Sequence, residues 1–271
     1  MPGHGRAIFA AVPDVAQPAS VQDSGPSALR YGPGLPAPFV IAAAQPRCVA
    51  HAVAANARAH AEAVRAARAR VVVFPELSLT GYELDAAPVF PGDPALRPIV
   101  EACAAAGSVA LAGAPVEEDG RRFIAALRID AAGVAVAYRK AHPGGDEVGR
   151  FAPGDGPDVI EVDGRRLGLG ICRDTGIESH TAATARLGVD VYVAGLVHRP
   201  EELGEQDARG RRIAAACGAS VAFASFAGPT GGGYAATAGT STIWSPDGEV
   251  VARAGSAPGE VVRARVEGVA A

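Results

Sequence analysis

Three apolar segments of the sequence each end on a side chain that can take part in covalent chemistry. The segment VVVFP is followed by Glu76, VAVAYR by Lys140 and RLGLGI by Cys172. A carboxylate, an ammonium group and a thiol are the components of a nucleophilic site: a base, a positive charge that stabilises an oxyanion, and a nucleophile. The sequence therefore predicts thiol chemistry, provided that the three segments meet in space.

The three side chains would assist one another in attack on a carbonyl or nitrile carbon. A free thiol has a pKa of about 8.5 and is mostly protonated at neutral pH. A nearby ammonium group favours the thiolate, and so does the N-terminus of a helix that starts just after residues 172–176. Glu76 could accept the thiol proton and later pass it to a leaving amine or to water. Lys140 and the backbone N–H of Arg173 are the candidates to stabilise the tetrahedral oxyanion.

Lys140 is the only lysine among the 25 basic residues of the chain. An ammonium group is a compact point charge, whereas a guanidinium group is a broad and rigid fork. A donor placed between a thiolate and an oxyanion therefore favours lysine. Each residue also has an ordinary interpretation: a buried cysteine packs as a small hydrophobe, a glutamate at a strand end caps or pairs, and a lysine at a strand edge is solvated.

Length and composition indicate a single large domain and exclude several classes of protein. The chain has 271 residues, of which 49% are hydrophobic, enough for one extensive core. A net charge of −4 without a basic run argues against nucleic acid as a partner. No apolar run approaches the roughly 18 residues that cross a membrane. No cofactor or metal site is expected, because no cluster of cysteines or histidines has zinc-ligand spacing; Cys48, Cys103 and Cys217 are interpreted as packing residues, and the protein as a reduced cytoplasmic enzyme.

The elements that must position the three side chains are alternating strands and helices from residue 39 onward. Residues 1–38 are rich in proline and glycine and are interpreted as a flexible N-terminal extension, and residues 39–271 as the organised domain. Near-continuous apolar strands joined by helices predict sheets covered by helices. Hairpins predicted near residues 131–133 and 246–248 make those sheets mixed. The fold class is therefore layered α/β.

These segments resemble the three motifs of the nitrilase superfamily of carbon–nitrogen hydrolases. VVVFPELSLTGYE is similar to the family's Glu motif, YRKAHP to its Lys motif and LGLGICRD to its Cys motif. The spacings, 64 residues from Glu76 to Lys140 and 32 from there to Cys172, are also similar. The resemblance implies a four-layer α-β-β-α sandwich with mixed sheets, a Glu-Lys-Cys triad, no cofactor, and a homodimer or higher homo-oligomer.

The resemblance extends to further residues of the site. The segment DEVGRFAPGD is similar to the one that holds the family's second glutamate, which maps to Glu147; this residue would orient Lys140 or the substrate, or else be a solvated loop acid. Tyr82, Gly195 and Leu196 are predicted by the same resemblance to contact the substrate.

Arg173 departs from the family pattern, which often has an aromatic residue after the cysteine. Its guanidinium group could bind a substrate carboxylate in bidentate fashion. It could equally pair with Asp174 or Glu178, so the substrate class does not carry over from the family.

The sequence thus predicts an amidase acting on the C–N bond of a small carboxamide through a Cys172 thioester. Nitriles and N-carbamoyl compounds remain open as substrates, since the same triad acts on them in this superfamily. A chain without membrane spans argues against acyl transfer to lipoproteins. Two further alternatives are a Cys–His hydrolase, in which Cys172 is activated by His142, His180 or His198, and a noncatalytic relative that binds a small metabolite.

Overall fold

The computed structural model describes residues 39–266, so the predicted extension over residues 1–38 lies outside the described residues. Twelve strands in this range form two six-stranded sheets. In spatial order, the first sheet contains β12 (Glu260–Val266), β1 (Phe39–Gln45), β2 (Val71–Val73), β3 (Val109–Glu118), β4 (Arg121–Asp130) and β5 (Gly133–Arg139). The second contains β11 (Val250–Arg253), β10 (Thr242–Trp244), β9 (Ser220–Ser225), β8 (Val191–Leu196), β7 (Arg165–Ile171) and β6 (Val159–Val162).

Both sheets are mixed, as the hairpins in the sequence predict. Strands β1, β2 and β3 are parallel to one another, and so are β7, β8 and β9. The remaining neighbours pair antiparallel, including the β4–β5 and β10–β11 hairpins. The last two strands, β11 and β12, both follow the turn at residues 246–248. They belong to different sheets, because β12 pairs with β1 in the first sheet.

Four helices cover the outer faces of the two sheets. Helices α1 (Val53–Ala67) and α2 (Arg97–Ala106) pack on the first sheet through a cluster rich in alanine and valine. Helices α3 (Glu178–Arg186) and α4 (Leu203–Cys217) lie on the second sheet, where α4 packs against a group of aromatic side chains. The molecule is therefore the predicted four-layer α-β-β-α sandwich.

The pattern of strand β8 shows how one sequence serves two cores. Val191 and Val193 point into the core between the two sheets, whereas Tyr192, Ala194 and Leu196 point outward toward α4. Successive side chains of a strand point to opposite faces. A strand that is apolar at every position therefore fits a sheet buried on both sides, and this is why the apolar runs of the sequence contain no polar residues.

If the three strands were neighbours in one sheet, their reactive side chains would meet at its edge, but β2 and β5 belong to the first sheet and β7 to the second. The three strand ends meet across the sandwich instead. The site is therefore built between two sheets that pack face to face.

Candidate active site

Glu76 lies in a tight turn that follows β2, where three backbone segments come very close. A Cβ atom on Gly195 would lie 2.6 Å from the carbonyl oxygen of Phe74, and one on Gly113 would lie 2.4 Å from the backbone nitrogen of Leu77. Only glycine permits this approach of β3 and β8 to the turn. These two glycines therefore fix the position of the Glu76 carboxylate, which is almost fully buried.

Lys140 follows β5 and reaches two carboxylates at once. Its Nζ donates to Oε1 of Glu76 at 2.6 Å and to both carboxylate oxygens of Glu147, at 2.8 and 2.7 Å. The side chain is only 2% exposed. Since a buried charge is costly unless it is paired, these two carboxylates hold the ammonium group in place.

Glu147 is buried and belongs to a short 3₁₀ turn, Gly145–Glu147, in the loop that follows Lys140. Besides the ammonium group, its carboxylate accepts from the backbone N–H of Gly144 at 2.8 Å and from the Tyr82 hydroxyl at 3.3 Å. The alternative interpretation of Glu147 as a solvated loop acid is therefore wrong. Tyr82 is brought to the site by this contact.

Cys172 lies where β7 turns sharply away from its sheet. Its backbone has a φ angle of 40°, in the left-handed region that few residues other than glycine adopt, and it begins a 3₁₀ turn over Cys172–Gly176. The thiol donates to the carbonyl oxygen of Val197 at 3.4 Å. The turn places the partly buried Cys172 side chain at the wall of a cavity.

Burial dominates the protonation of these groups. It raises the pKa of Glu76 to about 8, against the opposing effect of Lys140. Burial likewise raises the pKa of Cys172 to about 12, with a further rise from Glu76. For Lys140, burial acts to lower the pKa, but the nearby Glu76, Cys172 and Glu147 outweigh it, and the pKa lies above its ordinary value. The resting site therefore holds a charged ammonium group beside a protonated thiol.

One oxygen of Glu76 is left free for chemistry. Oε1 accepts from Lys140, whereas Oε2 is buried and has no hydrogen-bond partner among the described residues. Cys172 is close enough to lower the pKa of this carboxylate, although its thiol hydrogen in the structure points to Val197. Because unpaired buried polar atoms are rare, Oε2 marks a position where a proton can be received.

Asp174 connects the Cys172 turn to the loop of Lys140 and was missed as a site residue. The carboxylate is fully buried and accepts from the backbone N–H of His142 and of Ile171, at 2.9 and 3.1 Å. It also contacts the His142 ring and accepts from the Tyr138 hydroxyl, each at 2.9 Å. A single carboxylate therefore links the two sheets two residues after Cys172.

Substitution of Asp174 by asparagine is expected to lower both stability and activity. Both carboxylate oxygens of Asp174 accept hydrogen bonds, whereas an asparagine amide has only one oxygen and places an NH₂ group in the position of the other. Donors that now bond to that second oxygen would lose their acceptor, so we expect a loss of about 3 kcal/mol in the free energy of unfolding. Displacement of the Cys172 turn relative to Lys140 should lower kcat by about 100-fold. Urea unfolding and steady-state kinetics measure the two effects.

Asp163 offers a matched control for this substitution. It pairs with Arg70 at 2.6 Å on the surface, with 53% of its side chain exposed. Asp163→Asn should cost less than about 1 kcal/mol and leave kcat unchanged. Equal effects of the two substitutions would contradict the positioning role of Asp174.

Several of the side chains described above border a cavity of about 400 Å³ that opens to solvent. Of the predicted site residues, the cavity is lined by Tyr82, Lys140, Glu147, Cys172 and Arg173. Glu76 lies behind this wall, in contact with Lys140.

Gly195 and Leu196, which the sequence predicted to bind substrate, do not line this cavity. Gly195 packs on the Glu76 turn, and Leu196 points outward into the core beneath α4. The residues that do reach the cavity come next along the chain, namely Val197, His198 and Arg199. They follow the carboxyl end of β8, and the rule that located Cys172 could have found them.

The histidines do not support a Cys–His hydrolase. His180 contacts the Tyr138 hydroxyl at 2.9 Å, His142 contacts Asp174, and His198 contacts Gln206 at 3.1 Å. Within residues 39–266, none of the three forms a hydrogen bond with Cys172. The thiol instead has the Glu76–Lys140 pair as its ionisable neighbours.

Two further observations concern metals and membranes. His51, Glu83 and Asp85 form a group whose potential ligand atoms lie within 4.8 Å of one another, and it contains one histidine and two carboxylates. Exposed groups of this kind are common without a metal.

Among the helices of the described range, none is long and apolar enough to cross a membrane.

Comparison with protein families agrees with this architecture. The family model described as carbon-nitrogen hydrolase matches residues 40–268. The chain belongs to the carbon–nitrogen hydrolase family. The predicted resemblance to the nitrilase superfamily is confirmed, and so is the broader prediction of a hydrolase.

Two curated relatives in this family come from Pseudomonas. A protein of Pseudomonas protegens described as a hydrolase in the pqqF 5′ region is 31% identical over 209 residues, which cover 73% of this chain and 72% of the relative. An (R)-stereoselective amidase from a Pseudomonas species is 28% identical over 141 residues, which cover 48% of this chain and 52% of the relative.

Solved structures of the nitrilase superfamily share the fold. Nit3 of Saccharomyces cerevisiae, a member of branch 10 of the superfamily, superposes with a TM-score of 0.75 at 19% identity, covering 84% of this chain and 90% of that one. A mutant of the amidase from Nesterenkonia sp. AN1 has a TM-score of 0.75 at 22% identity, covering 84% and 89%. That structure shows the acetamide moiety of fluoroacetamide added covalently at the active-site cysteine.

Proposed function

We propose that the protein is a thiol-dependent amidase that hydrolyses the C–N bond of a small carboxamide through an acyl-enzyme on Cys172. The observation that supports this most directly is the contact of Lys140 with Glu76 and Glu147 beside Cys172, at one cavity wall. These groups supply a nucleophile, a proton acceptor and a positive charge without any cofactor.

In the proposed mechanism, Glu76 acts first as a base. Its free Oε2 receives the thiol proton as the sulfur attacks the amide carbon, and a tetrahedral oxyanion forms. Burial raises the pKa of Glu76, so its ionised form is a stronger acceptor for this proton than a solvent-exposed carboxylate would be. Burial of Glu76 therefore serves the chemistry.

Lys140 has two roles in this proposal. Its ammonium group keeps Glu76 and Glu147 oriented, and its positive charge stabilises the oxyanion together with the backbone N–H of Arg173. Collapse of the tetrahedral species breaks the C–N bond, and the nitrogen leaves as ammonia with the proton held by Glu76. A water molecule, deprotonated by Glu76, then attacks the thioester and releases the carboxylic acid and the free thiol.

The relatives support an amide as the substrate class. One curated relative is an (R)-stereoselective amidase, and a structural neighbour is an amidase that carries an acetamide moiety on its cysteine. Nitriles and N-carbamoyl compounds would use the same nucleophile, and a noncatalytic relative would bind amides without turning them over. Activity measurements are needed to separate these alternatives.

A screen for ammonia release tests the proposal. The purified protein should release ammonia from small carboxamides faster than from the matched nitriles and N-carbamoyl amino acids. Intact-mass spectrometry during turnover should detect an acyl adduct on the chain, and peptide mapping should place it on Cys172. Release from nitriles alone, or turnover without an adduct on rapid quenching, would contradict an amidase with a Cys172 thioester.

A further inference from the structure

Two guanidinium groups face the cavity beside the nucleophile without an acidic partner. In the described part of the chain, neither Arg173 nor Arg199 forms a side-chain ion pair or hydrogen bond, yet both line the cavity. A third arginine at the cavity, Arg209, is paired with Glu205. Since arginine offers five donors in a planar fork, the two unpaired groups can still bind an anion.

The alternative partners of Arg173 are excluded by the structure. The carboxylate oxygens of Asp174 accept hydrogen bonds from Tyr138, His142 and the backbone of Ile171, and within residues 39–266 Asp174 forms no ion pair with Arg173. Glu178 forms no ion pair with Arg173 within residues 39–266. The sequence had left open whether Arg173 pairs internally, and the geometry shows that it does not.

Both arginines have exposed side chains, and each is in contact with a neighbouring residue of the cavity wall. The Arg173 side chain lies against Gly144, where a Cβ atom would come within 2.6 Å of Nη1 and 2.7 Å of Cδ. The guanidinium group of Arg199 lies over the ring of Tyr234, 4.7 Å from its centroid. These contacts place each guanidinium group at the cavity and leave its donors free.

The charge of the cavity wall also favours an anion. The whole chain has a net charge of −4, but four cations and three acids line the cavity. Of the acids, Glu147 is paired with Lys140, Glu202 accepts from the backbone N–H of Arg199 at 2.6 Å, and Asp146 is exposed to solvent. Burial lowers the pKa of His198, so this ring adds no charge at neutral pH.

We propose that Arg173, assisted by Arg199, binds a carboxylate of the substrate, at the end remote from the scissile C–N bond. The inference rests on the proposed function and narrows it: the substrate is an anionic carboxamide, such as the monoamide of a dicarboxylic acid, rather than a neutral amide. Arg173 directly follows Cys172 in the chain. A carboxylate bound there would hold a short substrate with its amide carbon at the sulfur.

Two small amides that differ in one group test this proposal. Succinamate carries a carboxylate where succinamide carries a second amide, so the ratio of their kcat/KM values reports the preference for the anion. We expect Arg173→Gln to lower this ratio by about 10- to 100-fold, because a charge-assisted fork is lost. A ratio also cancels any change in the fraction of active protein. N-Carbamoylglycine, which has nearly the same shape as succinamate, shows whether a ureido carbon is accepted at the same site.

Arg58 supplies the matched control. It is exposed on α1, in the helical layer of the first sheet, and Arg58→Gln should leave the ratio within about twofold of the wild type. Arg199→Gln should lower the ratio as well. A ratio that Arg173→Gln leaves within about twofold of the wild type would overturn the proposal.

Binding measurements separate this inference from the proposed function. If the wild-type protein turns over neither compound, calorimetry on Cys172→Ala compares the affinities for succinamate and succinamide directly. Tighter binding of succinamate that is lost in Cys172→Ala/Arg173→Gln would uphold the carboxylate site while the amidase proposal fails. Equal binding of the two compounds would overturn the carboxylate site.

Discussion

Replacement of Cys172 by alanine is expected to abolish ammonia release, with a fall in kcat of at least about 10⁴-fold. No other group at the cavity can form the covalent intermediate, because the remaining side chains there are donors or poor nucleophiles. The thiol makes a single hydrogen bond, to Val197 at 3.4 Å, so the folded protein should retain its stability. Ammonia release and thermal unfolding of the two proteins measure these effects.

Cys217 is the matched control for this substitution. It lies at the end of α4, and burial raises the pKa of its thiol to about 11. Cys217→Ala should release ammonia at the wild-type rate. If Cys172→Ala retained activity within about tenfold of the wild type, the covalent mechanism would be wrong.

The reactivity of the thiols separates an enzyme from a noncatalytic binder. Burial raises the pKa of all four cysteines, so none is a thiolate by itself at neutral pH. Cys172 lies near Glu76, a carboxylate whose raised pKa suits it to take the thiol proton, whereas Asp130, the carboxylate near Cys103, has a lowered pKa. Iodoacetamide at near-neutral pH should therefore label Cys172 first, as peptide mass spectrometry would show, whereas a binder should show no such preference.

The strand ends that carry Glu76, Lys140 and Cys172 could be located from the sequence, but not the way in which they meet. Apolar runs of four to eight residues followed by a polar side chain reveal where a buried strand stops. They do not reveal which sheet a strand joins, because pairing is decided by contacts between distant segments. Strand β12, for example, pairs with β1 at the other end of the chain.

The glycines of the site show why its details were harder to predict. Gly195 was assigned to substrate binding by resemblance, whereas its actual role is to let the Glu76 turn approach β8. A lone glycine inside an apolar strand indicates close approach of another backbone, but the sequence does not say which one. The role of Gly144 could not be predicted for the same reason. It leaves space for the side chain of Arg173, which follows a strand of the other sheet.

Asp174 was missed for a related reason. It lies two residues after Cys172 in the chain, but three of its four contacts reach Tyr138 and His142 across the sandwich, and only the fourth, with Ile171, is local. Local patterns cannot predict a carboxylate that links two sheets. The predicted homodimer depends on contacts outside a single chain and stays a prediction.

Replacement of Lys140, the only lysine of an arginine-rich chain, by arginine is expected to lower kcat strongly. Lys140 places one nitrogen within 2.6 to 2.8 Å of three carboxylate oxygens, in a space where the side chain is 2% exposed. A guanidinium group spreads the same charge over a plane too large for this space. Lys140→Arg should therefore displace Glu76 or Glu147 and lower kcat by about 10³-fold.

Arg139, the preceding residue, makes this a test of geometry rather than of charge. It pairs with Glu118 near the surface, and Arg139→Lys, the reverse exchange one position away, should leave kcat unchanged. Thermal unfolding of Lys140→Arg shows whether lost activity reflects lost structure, and kcat is compared at a temperature where both variants are folded. Because both residues keep a positive charge, wild-type activity in Lys140→Arg would mean that charge alone suffices at this position. The compact ammonium group would then have no special role in the site.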